Sequence, residues 1–461
     1  MKIIFLIPPS PDKKKIIRWI DCSQETKASY LWQPNDYIII SSLLKPKDDL
    51  CFVDGTADSF SETMFFEAIG RLSGNMLFFA MSTVCWKSDL YFFQKTKKIF
   101  PDIPVFVIGD IVMEKYYRAL ILNESNGLVT HPYLLDLEKM SKVTGIGNNT
   151  LPGVCTALEQ EVFPKSKNTT FIEGNTPRHE IFLKHGYCFP FAKHFKFSQV
   201  TTMWGCPFSC SYCPDSKIAP TVRHYEGVLS ELEYLSKLGV KELFFADKVF
   251  GFPEKNSVPL LEKMSERFNF SWSCYFHPQL YNPRLLELMN SAGCHTIIIG
   301  IDTYNLSSLK QYKRVVRREK IEGVIAHANR LGMNICGDFI LGLENETETD
   351  ILNTIKYAME LSIDYASFNI AAPCPGSIIR EEAIKKGCQV TDMEGFDSLG
   401  DYGCLSNKYI DGKRLKKLRS KAVRSFYFRP LYLLRRLRKT SSLEHLHIQF
   451  NNMLALLNKS R

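Results

Sequence analysis

Three cysteines fall within eight residues in the run Cys206-Pro-Phe-Ser-Cys210-Ser-Tyr-Cys213. Thiolates this close together, in a loop with Gly205 and Pro207, are able to converge on one inorganic centre. Iron–sulfur clusters are held by cysteine thiolates, usually four. Three close cysteines without a nearby fourth leave one iron open to a substrate or cofactor that chelates it. Structural zinc is the competing chemistry, but it wants four closed ligands, usually with paired C-x₂-C spacing or histidines. No second C-x₂-C occurs, and His194 and His224 lack such spacing. A chance grouping of three among the fourteen cysteines is the remaining alternative.

The elements that must position these thiols follow from periodicity. Lys2–Ile7, Leu50–Val53, Met76–Met81 and Pro104–Ile108 read as buried parallel strands, with Gly127–Thr130 as a weaker fifth. Helical stretches such as Ser61–Leu72 and Asp89–Phe100 lie between them. This alternation implies residues 1–150 form a doubly wound parallel sheet, whose ligands bind beyond the strand carboxyl ends. Residues 151–190 are rich in turn formers and read as a connector. In residues 191–394 strands are expected at Phe197–Met203, Glu242–Ala246, Ser271–Phe276, Thr296–Ile301, Ile335–Leu341 and Tyr365–Ile370. Helices such as Val228–Lys237, Pro283–Ser291, Lys320–Leu331 and Glu346–Leu361 separate them. Six such β/α units imply an incomplete barrel, and the cysteine run follows its first strand, where barrel active-site loops sit. Residues 395–461 read as a mostly helical segment.

Composition narrows the class. The chain has 461 residues, 45% of them hydrophobic and 23% charged, so wholesale disorder is excluded. No apolar run approaches the roughly eighteen residues of a spanning helix. Met1–Ile7 stops at Pro8-Pro9, too short for a signal-peptide core. The cysteines are therefore expected as free thiols in a reducing cytosol. Net charge is +9, yet twelve Lys or Arg and no Asp or Glu lie between Lys413 and Lys439. The rest of the chain is mildly acidic, which argues against a nucleic-acid binder. In the basic segment Leu415, Leu418, Ala422 and Phe426 share a helical face, and Leu431, Leu434 and Leu437 repeat beside Arg435, Arg436 and Arg438. Two main readings stand: a cap packed on the barrel, or weak attachment to an anionic membrane surface suited to a lipid-like substrate. RNA binding comes third, since no recognisable RNA-binding module accompanies the charge.

The spacing C-x₃-C-x₂-C, with Tyr212 before the last cysteine, resembles the signature of the radical S-adenosylmethionine superfamily. Trp272-Ser-Cys-Tyr275, Ser291-Ala-Gly-Cys294, Gly300-Ile-Asp302, Gly332-Met-Asn334, Gly337-Asp-Phe-Ile-Leu-Gly-Leu-Glu344 and Pro373-Cys-Pro-Gly376 fall in that family's order. They resemble the subgroup with an N-terminal cobalamin-binding domain, as do Ile3-Ile-Phe-Leu-Ile-Pro-Pro9, Trp32-Gln-Pro34, Val53-Asp-Gly55 and Phe426-Tyr-Phe-Arg-Pro430. The similarity covers nearly the whole chain.

The resemblance implies that Cys206, Cys210 and Cys213 ligate a [4Fe–4S] cluster whose open iron binds S-adenosylmethionine. One electron, from a donor such as flavodoxin or ferredoxin, would then yield a 5′-deoxyadenosyl radical that takes hydrogen from an unactivated carbon. Ile340 and Gly342 would flank the adenine, Gly342 by letting the backbone approach closely. Asp302 stands where the family often has Glu and would bond a ribose or the methionine amino group. Asp247 would bind that amino group or cap a helix, and Lys248 replaces a second acid often found there. His277 reads as a structural histidine or a substrate contact, and Cys274, Cys294, Cys336 and Cys374 as small buried hydrophobes.

Cobalamin would lie against the strand ends near Ser82 and Gly109. The Asp-x-His-x-x-Gly signature is absent, so no histidine from that motif would ligate cobalt; the alternative is a domain that only shapes the pocket. The resemblance implies a cytoplasmic enzyme that methylates an unactivated carbon or phosphorus of a small molecule. Oxidative cyclisation or carbon–carbon bond formation is the second reading, and a non-catalytic iron–sulfur module the third.

Overall fold

A computed structural model describes residues 1–24, 30–143, 145, 150–163, 171, 173–385, 407–430, 432, 434, 436, 446–448 and 451. Strands β1 (Lys2–Ile7), β2 (Asp49–Asp54), β3 (Met76–Ala80), β4 (Val105–Ile108) and β5 (Gly127–Val129) run parallel. Their order is β2-β1-β3-β4-β5, extended by an antiparallel edge strand β6 (Val154–Cys155). Alternate residues serve two separate cores. Ile4, Leu6, Leu77 and Phe79 pack on one face, and Ile3, Phe5, Met76 and Phe78 on the other. A parallel sheet covered by helices on both faces needs this continuous apolar run.

The second sheet contains β7 (Phe197–Val200), and after it comes a small hairpin of β8 (Met203–Trp204) and β9 (Thr221–Val222). Next come β10 (Glu242–Phe245), β11 (Ser271–Phe276), β12 (Cys294–Asp302), β13 (Asn334–Leu341) and β14 (Tyr365–Ile370). All six main strands are parallel in the order β7-β10-β11-β12-β13-β14. This is the incomplete barrel expected from the sequence.

Two expectations change. The single strand Phe197–Met203 breaks at Thr201–Thr202, because the Asp247 carboxylate takes the N–H groups of Thr202 and Met203. The stretch read as a connector supplies β6 and a short helix, His179–Phe182. His179 is buried between Glu231 and Ser198, 2.8 Å from each, and ties that helix to the barrel.

The helix Gly412–Tyr427 decides between the two readings of the basic segment. Leu415, Leu418, Ala422 and Phe426 are buried in the barrel core. Arg419, expected on the polar face, is buried as well, and its Nε donates to the Phe368 carbonyl at 3.0 Å. The Tyr427 hydroxyl donates to the Ala366 carbonyl and accepts the Ala366 N–H. The helix thus covers the open edge at β14, which an unpaired strand requires. Its apolar face is not available to a bilayer. Arg436 is also drawn in, 3.5 Å from Asp364. Leu431, Arg435, Leu437 and Arg438 lie outside the described residues. Among the described residues no helix is long and apolar enough to cross a membrane.

Candidate active site

The hairpin of β8 and β9 pinches the ends of the cysteine loop together. Gly205 opens the loop at φ +77°, where a Cβ would stand 2.5 Å from the Ala219 carbonyl oxygen. Only glycine suits both the left-handed backbone and that approach. Further bonds hold the loop: the Cys206 N–H donates to Ile218 O, Ser211 N–H to Tyr312 O, and Ile379 N–H to Ser211 O. The Phe208 ring stacks on His277, centroids 3.7 Å apart.

Within this frame the three thiols are free and lie near enough to one another to interact. Burial pushes Cys206 up to about 11 and raises Cys210 and Cys213, and the nearby thiolates push Cys206 and Cys213 further. Three desolvated thiols facing one another fit a cationic iron–sulfur core, which would deprotonate them and neutralise the repulsion. Among the described residues no three Cys, His, Asp or Glu side chains already stand at metal-ligand spacing.

Asp247 lies behind the loop rather than in its mouth. It is buried, and its oxygens accept from Thr202 N–H at 2.6 Å, Met203 N–H at 3.1 Å and the Thr202 hydroxyl. The expected contact with the methionine amino group is therefore corrected, since those oxygens hold the chain that leads into Cys206. Asp247→Asn keeps one acceptor and turns an NH₂ toward donors, a loss of about 1–3 kcal/mol. We expect lower iron content after reconstitution and a lower melting temperature; full iron and unchanged stability would refute this role. Burial also lifts Asp247 from 3.8 to about 6. The folded carboxyl then binds its proton more tightly than the unfolded one. Its contribution is most favourable below about pH 4 and is lost as pH rises through 6. In Asp247→Asn that slope disappears.

Asp302 meets a residue that the sequence reading missed. Arg314 Nε stands 2.6 Å from Asp302 Oδ2 as an ion pair, at an angle that makes no hydrogen bond. Arg314 Nη2 donates to Gly300 O at 2.7 Å, and Nη1 approaches His277 Nε2 at 2.5 Å and Cys210 Sγ at 3.9 Å. Burial opposes the guanidinium charge, but Asp302, Tyr212 and Cys210 outweigh it and raise its pKa. Burial and then the same cation push His277 down to about 2, so its ring is neutral. In sequence, Arg314 lies among Lys310, Lys313, Arg317 and Arg318, and nothing local sets it apart. The available signal was Gly300, because a Cβ there would meet Arg314 Nη2 at 2.5 Å.

Tyr212 and Ile340 do come together, packed on Tyr312, Leu343, Ala371 and Ile379. They form an apolar wall beside the loop, and the Tyr212 hydroxyl is buried with no hydrogen-bond partner. Gly342 does not face that wall. Its φ is +82°, and a Cβ would stand 2.6 Å from Leu415 Cδ2, so the close approach belongs to the C-terminal helix. Ser82 and Gly109 are also corrected. The Ser82 N–H donates to Asp89, and a Cβ on Gly109 would strike Met81 O at 2.1 Å and Arg18 O at 2.5 Å. The buried Arg18–Asp89 pair, Nη2 to Oδ1 3.0 Å, covers both. A bulky residue at either position would disturb the fold before it tested any ligand.

Between the sheet and the barrel mouth lies a cavity of about 590 Å³, its open mouth included. Trp19, Trp32 and Asp36 line it from one side, and Trp204, Lys248 and Tyr275 from the other. A smaller cavity at the ends of β1 and β2, with Ile7, Asp54 and Thr56, shares Trp19 and Trp32 with it. Three buried polar atoms on the larger cavity have no partner: Trp32 Nε1, Trp204 Nε1 and Gln199 Oε1.

A loop of three neighbouring thiols follows the first strand of a partial barrel, beside a cavity that a second sheet closes. Residues 200–358 match the model of the radical SAM superfamily. It is 24% identical over 450 residues to an uncharacterized methyltransferase of Pyrococcus horikoshii, covering 94% of each chain. The structure of the radical S-adenosylmethionine methyltransferase TsrM from Kitasatospora setae, with cobalamin and a [4Fe–4S] cluster bound, matches with a TM-score of 0.64. That match is at 13% identity over 84% of this chain and 78% of that one. The cobalamin-dependent S-adenosylmethionine radical enzyme OxsB, with aqua-cobalamin bound, matches with a TM-score of 0.65 at 14% identity, over 98% and 72%. These likenesses extend the shared fold from the barrel to the N-terminal sheet.

Proposed function

We propose that this enzyme is a cobalamin-dependent methyltransferase acting on an unactivated carbon or phosphorus of a small molecule. The observation that carries the reading is the cavity between the N-terminal sheet and the barrel, lined by Gly205 and Asp215, which flank the cysteine loop. The nearly full-length likeness to a chain named as a methyltransferase supports it. When bound, the cluster would supply the electron that cleaves S-adenosylmethionine, and cobalamin would carry the methyl group.

The chain's own residues do the rest. Cys206, Cys210 and Cys213 would hold the cluster. Asp247 and Gly205 set the path of their loop, and Tyr212 with Ile340 gives the nucleoside an apolar wall. Arg314 places a fixed cation beside Cys210. Trp32 Nε1 and Trp204 Nε1 are donors without partners on the larger cavity and would meet amide oxygens of a bound ligand. No histidine lines either cavity among the described residues, so the cobalt would take no histidine from these walls. Closure of the chamber keeps water from a reactive intermediate.

The electron would come from a reduced partner such as flavodoxin or ferredoxin. Among the described residues, attachment to an anionic membrane surface would rest on the exposed Lys413, Lys416, Lys417, Lys421 and Arg424, and salt would weaken it. Oxidative cyclisation remains the second reading, because OxsB shares the fold over nearly the whole chain without being named a methyltransferase.

The test is anaerobic turnover of reconstituted protein with and without cobalamin. Methyl transfer is expected to give S-adenosylhomocysteine together with 5′-deoxyadenosine, and the former only with cobalamin. 5′-Deoxyadenosine and product without S-adenosylhomocysteine would replace this reading by the second.

A further inference from the structure

The larger cavity carries more acid than its cations can neutralise. Asp21, Asp36 and Asp215 line it with a single Lys248. Lys248 is already engaged, paired with Asp21 and 3.7 Å from Asp215. Asp36 is 7% exposed and has no ion-pair or hydrogen-bond partner among the described residues. A first-turn position in the helix Asn35–Ser42 explains an acid facing water, which the helix dipole favours. It does not explain one buried in a cavity wall, where an unpaired carboxylate is costly. Burial pushes Asp36 up to about 7; Lys248 pulls it down, and Asp21 and Asp215 raise it.

Gln199 is the independent second observation. It is 2% exposed, and its Oε1 is an acceptor without a donor on the same cavity. Its backbone N–H is bound to Gln33 Oε1 at 2.9 Å, which fixes where the side chain starts. Trp19, Trp32, Phe244 and Tyr275 supply apolar faces around these acceptors. Aromatic faces attract a cation as well as an apolar body.

We propose that the substrate carries a protonated nitrogen on a planar apolar body, and that Asp36 and Gln199 receive that nitrogen. The proposal rests on the reading of this cavity as the chamber of a radical S-adenosylmethionine enzyme. Asp36 then supplies the charge and Gln199 the direction. The indole N–H groups of Trp32 and Trp204 remain for an oxygen of the same substrate or of a cofactor.

Calorimetric titration of the full chain tests this. The cluster is reconstituted and left oxidised, with S-adenosylmethionine saturating so that its own ammonium does not compete. Tryptamine and benzylamine are compared with their neutral counterparts, tryptophol and benzyl alcohol. The amines are expected to bind at least about tenfold more tightly, and Asp36→Asn to remove that preference. Gln199→Glu adds a second carboxylate and is expected to tighten the amines, which keeps the test open if Asp36→Asn fails to fold. Equal binding of amines and alcohols, no binding of either amine, or amine affinity indifferent to both variants would each overturn the proposal. Reductive cleavage of S-adenosylmethionine by the same preparation separates the two ideas. Cleavage with an amine-blind cavity sinks this proposal alone, and absent cleavage sinks the reading beneath it.

Discussion

Protein in which Cys206, Cys210 or Cys213 is replaced by Ala is expected to lose most of its iron after anaerobic reconstitution. It should release no 5′-deoxyadenosine above background. The three thiols are desolvated and close together, and removing any one leaves two ligands where the cluster needs three and an open iron. The control lies in the core. Cys274 is in β11, next to Cys294, and Cys336 is in β13; all three are buried among apolar side chains. Cys274→Ala and Cys336→Ala remove one small group each, costing stability but neither iron nor cleavage. Iron content and 5′-deoxyadenosine release, measured together, decide the matter. Full cleavage by the Cys213→Ala protein would overturn the assignment of the loop.

The second large effect concerns the pair behind Cys210. Arg314→Met is expected to cost about 3–5 kcal/mol, because it strands Asp302 as a buried carboxylate without its counter-ion. Both side chains are less than one tenth exposed, so solvent offers little screening. The double variant Asp302→Asn with Arg314→Gln removes both charges, and most of that stability should return. Cleavage should not return with it, since neither variant keeps a cation 3.9 Å from Cys210 Sγ. Chemical denaturation followed by single-turnover cleavage separates the two contributions. A stable Arg314→Met protein would show that the ion pair carries no such energy. A double variant that cleaves at the native rate would show that the cation does not serve the cluster loop.

The N-terminal domain answers a different question than the sequence posed. Gly109 and Ser82 sit at the strand ends where such sheets bind ligands. In the fold those ends are covered by the segment around Arg18, whose guanidinium reaches back to Asp89 and Thr56. The ligand-facing side of that segment is Trp19 and Asp21. The lining of the chamber therefore comes from residues just after β1 and from Trp32–Asp36, rather than from the turns after β3 and β4.

The sequence by itself determined the two sheets and the strands that build them, to within a few residues. These are local facts. Runs such as Ile3–Ile7 or Thr296–Ile301 declare buried strands by composition alone. Only the tertiary structure decided which polar residues face ligand and which face protein. Asp247 and Gly342 stand in the same motifs in both accounts. Yet one is bonded to Thr202 and Met203 across 44 or more residues, and the other leaves room for Leu415. Nothing local in the sequence marks Arg314 or Asp36 as a buried charge. Their partners, or their lack of any, come from strands and helices far away in sequence. Burial of a charge depends on the sum of all such contacts, and no local pattern encodes that sum.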